Sequence, residues 1–317
     1  MRRRALARVT RNRVAGVARW GTVRGWFKGT LVAVVTAAVG CALVYGTMRL
    51  REEVRIQPAY VVSAESLRLV KGPAWMTPAI LGELDMAALD PTFPRRFSLL
   101  DPDVCRRIAA AYERCVWVER VERVVKHDPR VDPEKPPLEV YLKFRRPIGF
   151  VQQRDGFYLV DDHGVRLPGV YREPRLGETR FLVITGVSSS PPAAGQVWSE
   201  PALQSAVRVA DAVDPRREAY RLVSVDVSNF GGRRDPRDTE IALYTTNDTR
   251  IKWGKAPTSE AALLREKSLA EKVAYLDYVY QSLNGQVDGV LLYIDIPNEA
   301  IRRRSADVTP ATTRLRS

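Results

Sequence analysis

Side chains able to do chemistry are few and scattered along this chain. His127 and His163 are the only histidines, and Cys41, Cys105 and Cys115 the only cysteines. Neither set has the paired spacing of a zinc site. Asp161-Asp162-His163 is the one place where two carboxylates and an imidazole adjoin. Acid–base work would need both carboxylates aimed at one substrate, whereas neighbours at a strand end point to opposite sides. The expectation is therefore a turn with His163 exposed. No G-x-S-x-G, phosphate-binding loop or S-x-x-K is present, and no enzymatic activity, cofactor, metal or small-molecule substrate is expected. Cys105 and Cys115 on a single helix would lie ~15 Å apart, too far to bridge. A disulfide would need the chain to turn back between them, so core thiols are expected. Asn247-Asp248-Thr249 has glycosylation spacing and reads equally as a turn.

Composition narrows the class before any element is placed. With 317 residues, 45% hydrophobic and 27% charged, the chain can bury a core, and it is neither wholly disordered nor polytopic in a membrane. Its net charge of +13 first suggests a nucleic-acid or membrane-surface ligand. Residues 1–28 hold nine basic side chains and no acid, and residues 301–317 carry a net +4. Residues 29–300 are then neutral, with 36 basic and 36 acidic side chains. Two basic tails flank a neutral body, the second expected to be disordered, and nucleic-acid binding by the body loses its support.

Gly29 to Met48 runs 20 residues without a charge, and at ~1.5 Å per residue such a helix spans the ~30 Å hydrocarbon core of a bilayer. Positive charge concentrates before it, so the N-terminus is expected in the cytoplasm and the bulk outside. A cleaved signal peptide would have a shorter apolar core. A lipoprotein signal at Ala38-Val39-Gly40-Cys41 lacks the usual leucine. An uncleaved single-pass anchor is the expected reading.

The elements that must position any site follow the anchor, after a tether over 49–65. Ser66 to Val70 reads as a short strand and Thr77-Pro78 as a helix start. Asp101-Pro102 starts a second helix with Val104, Ile108, Ala111 and Tyr112 on one stripe. Two strands follow, from Val116 to Val124 and from Leu138 to Phe144, joined by the proline-rich loop Asp128–Pro137. This β-α-α-β-β order describes a small α+β domain over 66–151. A second domain over 152–300 begins with a hairpin, 157–160 and 165–167 around Gly164. It continues with strands at 181–184, 222–227, 239–244 and 250–253, a helix at Pro201–Val213, and a longer helix from Ser259 to Leu283. Leu269, Val273, Leu276, Tyr280 and Leu283 are the buried stripe of that last helix. The final strand is Val290 to Ile296, opened by Gly289 and stopped by Pro297. The fold class is α+β: one membrane helix, a small β-α-α-β-β domain and a mixed or antiparallel sheet domain with two helices.

In this order the residues resemble the FtsQ/DivIB family of bacterial cell-division proteins. Carrying the resemblance are Val70-Lys71-Gly72, Phe97 to Asp101, Val116-Trp117-Val118, Leu138-Glu139-Val140 with Arg145-Arg146-Pro147, and Tyr158 to Asp161 with Gly164-Val165. Val183 to Gly186, Trp253-Gly254, Glu271-Lys272-Val273 and Tyr293 to Ile296 complete it. Cys115 replaces a usual proline, Arg145 replaces an acid, the loops 85–96 and 128–137 are long, and Pro297 ends the last strand early. The resemblance implies a POTRA-like domain over 66–151, an FtsQ-type β domain, and a non-enzymatic scaffold at the division septum of the bacterial inner membrane. It implies FtsB-like and FtsL-like membrane partners. Docking is expected by strand addition along Val290, Leu292, Tyr293, Ile294, Asp295 and Ile296, with Tyr280 beside them on the helix. The alternative is a membrane-anchored chaperone or transport adaptor that receives polypeptide through its POTRA-like domain.

Overall fold

The computed structural model describes residues 14–55, 57–69, 72–255 and 266–296. The chain divides into two compact units, one formed by the N-terminal part through Ser63 with 95–104 and 127–137, the other by 64–94, 105–126 and 138 onward. Most of the basic N-terminal tail (residues 1–13), the start of the last helix at Ser259, Pro297 and the C-terminal tail lie outside the described residues.

In the first unit, helix α1 runs unbroken from Val14 to Arg55. Its stretch Leu31–Glu53, of mean hydropathy 2.0, is long and apolar enough to cross a membrane. The tether expected at 49–65 is corrected. Residues 49–55 contain no glycine or proline, so nothing stops the helix before Arg55. After a 3-10 turn at Pro58–Tyr60, β1 (Val61–Ser63) pairs antiparallel with β3 (Arg96–Ser98), which the sequence reading missed. The loop Asp128–Pro137 is closed by the His127 N–H donating to the Pro137 carbonyl at 3.0 Å.

The second unit carries two sheets. The smaller has strand order β2–β5–β4, with β2 (Leu67–Leu69) parallel to β5 (Leu138–Phe144) and β5 antiparallel to β4 (Val118–Lys126). The expected strand–helix–helix–strand–strand order is present, with one addition. After α2 (Pro78–Glu83), capped by Thr77 Oγ1 accepting from the Ile80 N–H, a short helix α3 (Met86–Leu89) starts at an Asp85 cap. It takes part of the stretch expected to be loop. On α4 (Val104–Glu113), Val104, Ile108, Ala111 and Tyr112 are all buried, so that stripe is the helix's inner face.

The larger sheet has seven strands in the order β14–β13–β12–β11–β10–β6–β7. Their ranges are β6 Pro147–Gln153, β7 Gly156–Asp161, β10 Leu182–Thr185, β11 Leu222–Asp226, β12 Ile241–Thr245, β13 Arg250–Gly254 and β14 Tyr293–Asp295. A two-stranded ribbon, β8 (Arg175–Leu176) with β9 (Thr179–Arg180), stands apart. The sheet is mixed: β10 runs parallel to both β6 and β11, and β14 parallel to β13, the rest antiparallel. Helices α5 (Pro201–Val213) and α6 (Leu269–Ser282) supply Leu203, Val207, Ala210, Val273 and Leu276 to the core. From the sheet come Leu182, Ile184, Val225, Leu243, Ile251, Trp253, Ile294 and Ile296.

Two sequence expectations are corrected here. Pro147–Gln153 belongs to the larger sheet, so the boundary drawn at 151 cuts through β6. A proline is tolerated as the first residue of a strand, so Pro147 can open β6. Strands β6 and β7 form a hairpin turning at Arg154-Asp155, and the expected pairing of 157–160 with 165–167 is present as well. Val160 bridges Arg166 antiparallel, the Asp161 N–H donates to the Val165 carbonyl at 3.1 Å and the Leu167 N–H to the Leu159 carbonyl at 2.8 Å. Finally, the last strand is shorter than Val290–Ile296. Asp288 to Val290 is a turn in which Gly289 has φ +77°, and the Gly289 N–H donates to Thr249 Oγ1. Helix α6 begins at Leu269 behind a capping box between Ser268 and Glu271.

Candidate partner-docking edge

Among the described residues, strand β14 pairs with β13 alone and so forms one edge of the seven-stranded sheet. Its register is Arg250↔Tyr293, Ile251↔Ile294 and Lys252↔Asp295. The Arg250 N–H donates to the Leu292 carbonyl at 3.2 Å, and the Ile296 N–H to the Lys252 carbonyl at 3.1 Å. In a parallel pair alternate residues turn their backbone groups toward the neighbour. Leu292, Ile294 and Ile296 therefore face β13, and Tyr293 and Asp295 direct their N–H and C=O groups away from the sheet.

Side chains alternate in step with the backbone. Ile294 is 4% exposed and Ile296 fully buried in the core, while Asp295 is exposed and Tyr293 half-buried with Lys252 Nζ 4.8 Å from its ring centre. Tyr293 thus shares a row with Arg250, Tyr244 and Ser224, and Asp295 a row with Lys252, Ala242 and Asp226, across the face opposite α5 and α6. Arg250 Nη2 donates to Asp238 at 2.7 Å on this face. The sequence reading missed Lys252 and Arg250, although the alternation Arg250-Ile251-Lys252-Trp253 carries the signal.

The other residues singled out from sequence are dispersed. Val290 sits in the turn, half-buried against the core, and Leu292 is 48% exposed just before the strand. Tyr280 packs inward on α6, its ring centre 4.8 Å from that of Tyr220. The Tyr220 hydroxyl and Arg216 Nε both donate to the Asp277 carboxylate. Burial and then that hydrogen bond push the Tyr220 pKa up, while the bond from Arg216 holds Asp277 below the usual carboxylate range. Tyr280 is therefore part of the clamp that seats α6, a correction to its expected place beside the strand. The helical stripe alone could not say which buried tyrosine flanks an edge.

Reactive groups elsewhere are engaged in structure. Asp161, Asp162 and His163 bring ligand atoms within 4.8 Å of one another. Asp161 is nevertheless committed, accepting from Arg145 Nη1 at 2.9 Å and from the His163 and Val165 N–H groups at 2.9 and 2.7 Å. Arg145 thus neutralises the buried carboxylate, and the cluster is a turn clamp. His163 is exposed, as expected of that turn. Cys105 and Cys115 are both free thiols; Cys115 is buried, and burial raises its pKa, the opposite of what a reactive thiolate needs. The Asn247 side chain and N–H donate to Asp288 at 2.9 and 2.7 Å, which makes Asn247–Thr249 an ordered turn. A hollow of about 430 Å³ at the end of β14 is lined by Arg237, Lys252 and Lys255 against Asp238, Glu240 and Asp295, a balance that selects no ion.

The family model described as cell division protein FtsQ/DivIB, C-terminal, matches residues 149–296. That match starts two residues into β6 and ends one residue past β14, so it covers nearly the whole larger sheet and both of its helices. None of the curated proteins is matched. Residues 149–296 therefore carry the C-terminal domain of the FtsQ/DivIB cell division proteins.

Proposed function

We propose that the protein is a non-enzymatic scaffold of septal cell-wall synthesis, anchored by α1 with its N-terminus in the cytoplasm and its folded body outside. It holds FtsB-like and FtsL-like membrane partners by adding a partner strand to β14. The POTRA-like β-α-α-β-β part, nearest the anchor in sequence, serves localisation to the septum.

The observation that supports this reading is the position of β14. Tyr293 and Asp295 present two N–H and two C=O groups in the geometry of a sheet that, among the described residues, has no next strand. At a net ~0.5–1.5 kcal/mol per hydrogen bond, those four groups supply about 2–6 kcal/mol. A micromolar complex needs about 8 kcal/mol, so side chains must add the rest. Leu292, Tyr293 and Asp295 are the exposed or half-exposed ones at hand.

The test is affinity capture from membranes with wild type and Tyr293→Pro. Proline at 293 removes an N–H that points away from β13, so the sheet itself keeps its ladder. Loss of FtsB-like and FtsL-like proteins from the mutant capture is expected. Equal recovery with a folded mutant would overturn the docking edge.

A further inference from the structure

Two loops of the first unit reach back to the stretch that immediately follows the anchor helix. Arg55, the last residue of α1, donates from Nη2 to Asp101 at 3.1 Å. Two residues later, Gln57 accepts from Arg130 Nη2 at 2.7 Å, and the same guanidinium lies 4.9 Å over the ring of Tyr60. The Tyr60 carbonyl in turn accepts from the Leu99 N–H at 2.8 Å. Each loop places a large apolar side chain in solvent beside its tie: Leu100, next to Asp101, is 40% exposed, and Val131, next to Arg130, is 74% exposed. Outside α1, Val131 is the most exposed large hydrophobic among the described residues.

Depth follows from helix geometry. If the apolar span ends at Glu53, Arg55 lies ~3 Å above the hydrocarbon edge, and if it ends at Met48, ~10 Å above it, at ~1.5 Å per residue. The headgroup layer is ~5–8 Å thick on each side. Arg55 and its partner Asp101 therefore stand in or at the rim of that layer, and Gln57 is too few residues away to leave its vicinity.

Val131 is also held ready. Asp128 accepts the Arg130 N–H on its carboxylate and the Val131 and Asp132 N–H groups on its carbonyl, and Lys135 pairs with Asp132 at 3.1 Å. A turn already closed in this way loses little entropy on contact.

We propose that Leu100 and Val131 form a two-point lipid contact, resting in the headgroup layer of the bilayer that α1 crosses and fixing the first unit against it. This rests on α1 being a membrane anchor and goes beyond the docking role of β14. An apolar side chain at this level gains by leaving water for the interface, while Arg130 remains at headgroup height with its own partners.

The experiment uses the full chain with Cys41, Cys105 and Cys115 replaced by Ala and a single cysteine at Leu100→Cys or Val131→Cys carrying an environment-sensitive fluorophore. Each is reconstituted in phosphatidylcholine–phosphatidylglycerol vesicles with or without a headgroup-attached nitroxide quencher. Emission from both sites is expected to fall by roughly half with the quencher, as for an interfacial group, in protein that floats with the vesicles. Flotation without quenching at either site overturns this contact alone, and quenching at one site overturns the two-point form. Failure to float overturns the anchor, and the contact with it. A folded, unlabelled Val131→Asp chain is expected to show faster amide exchange at 128–132 in vesicles than wild type. Unchanged exchange there also counts against the contact.

Discussion

Removing the Asp161 carboxylate tests how the larger sheet is joined to the strand before it. Asp161 closes β7, its side chain 1% exposed, and it takes three donors: the Arg145 guanidinium and the N–H groups of His163 and Val165. Asp161→Ala strands all three, and Arg145 Nε is already buried without a partner. Deleting one member of a buried pair costs ~3–5 kcal/mol. Arg145 keeps 21% of its side chain in solvent, which places the expected loss at the low end, about 3 kcal/mol. A cycle with Arg145→Met isolates the pair from the two amides. The double variant should cost less than the sum of the singles by about 2 kcal/mol, because the second change removes a group the first left stranded. The assay is guanidinium unfolding of the full chain in detergent, followed by tryptophan emission, at unchanged slope. A single-mutant loss under ~1 kcal/mol, or a strictly additive cycle, would refute the clamp.

Other consequences are as open to measurement. Gly186 has φ +85°, and an added Cβ would overlap the backbone of Ser228. Gly186→Ala should therefore lose at least ~2 kcal/mol, and an unmoved unfolding midpoint would contradict this. Burial raises the Glu200 pKa, but hydrogen bonds from the N–H and hydroxyl groups of Ser189 and Ser188 outweigh it and hold the group below its usual value of 4.5. A depressed folded pKa means the loop's stabilisation is complete above pH 4.5 and is lost as pH falls through the lower folded value. Exchange of the Ser188 and Ser189 amides should accelerate over that acid window, whereas Glu200→Gln should exchange fast at neutral pH and respond little to acid.

What the sequence could disclose divides along local and non-local lines. Thr77-Pro78, Pro201 to Val213 and the stripe Val104, Ile108, Ala111, Tyr112 were legible because caps and periodicity act within a few turns. The end of α1 was misplaced since nothing in 49–55 resembles a break, and the break comes with Pro58. Strand β14 was overextended because its start is set from 40 residues away, where Thr249 Oγ1 takes the Gly289 N–H and Asn247 holds Asp288. The candidate site shows the same division. Alternation in Tyr293-Ile294-Asp295 shows which side chains face the core, but that β14 lies at an edge depends on the order of seven strands. Tyr280 lies on the buried stripe of its helix, but that it packs against Tyr220 depends on a residue distant in the chain.

The docking claim meets its most direct test in amide exchange at β14, read residue by residue in the full chain alone and in complex with its captured membrane partners. Ile294 and Ile296 should be protected in both states by β13, while the Tyr293 and Asp295 amides should exchange readily alone and become at least ~10-fold slower in the complex. Unchanged exchange at Tyr293 and Asp295 in a complex that is demonstrably formed would contradict strand addition and place the partner on another surface.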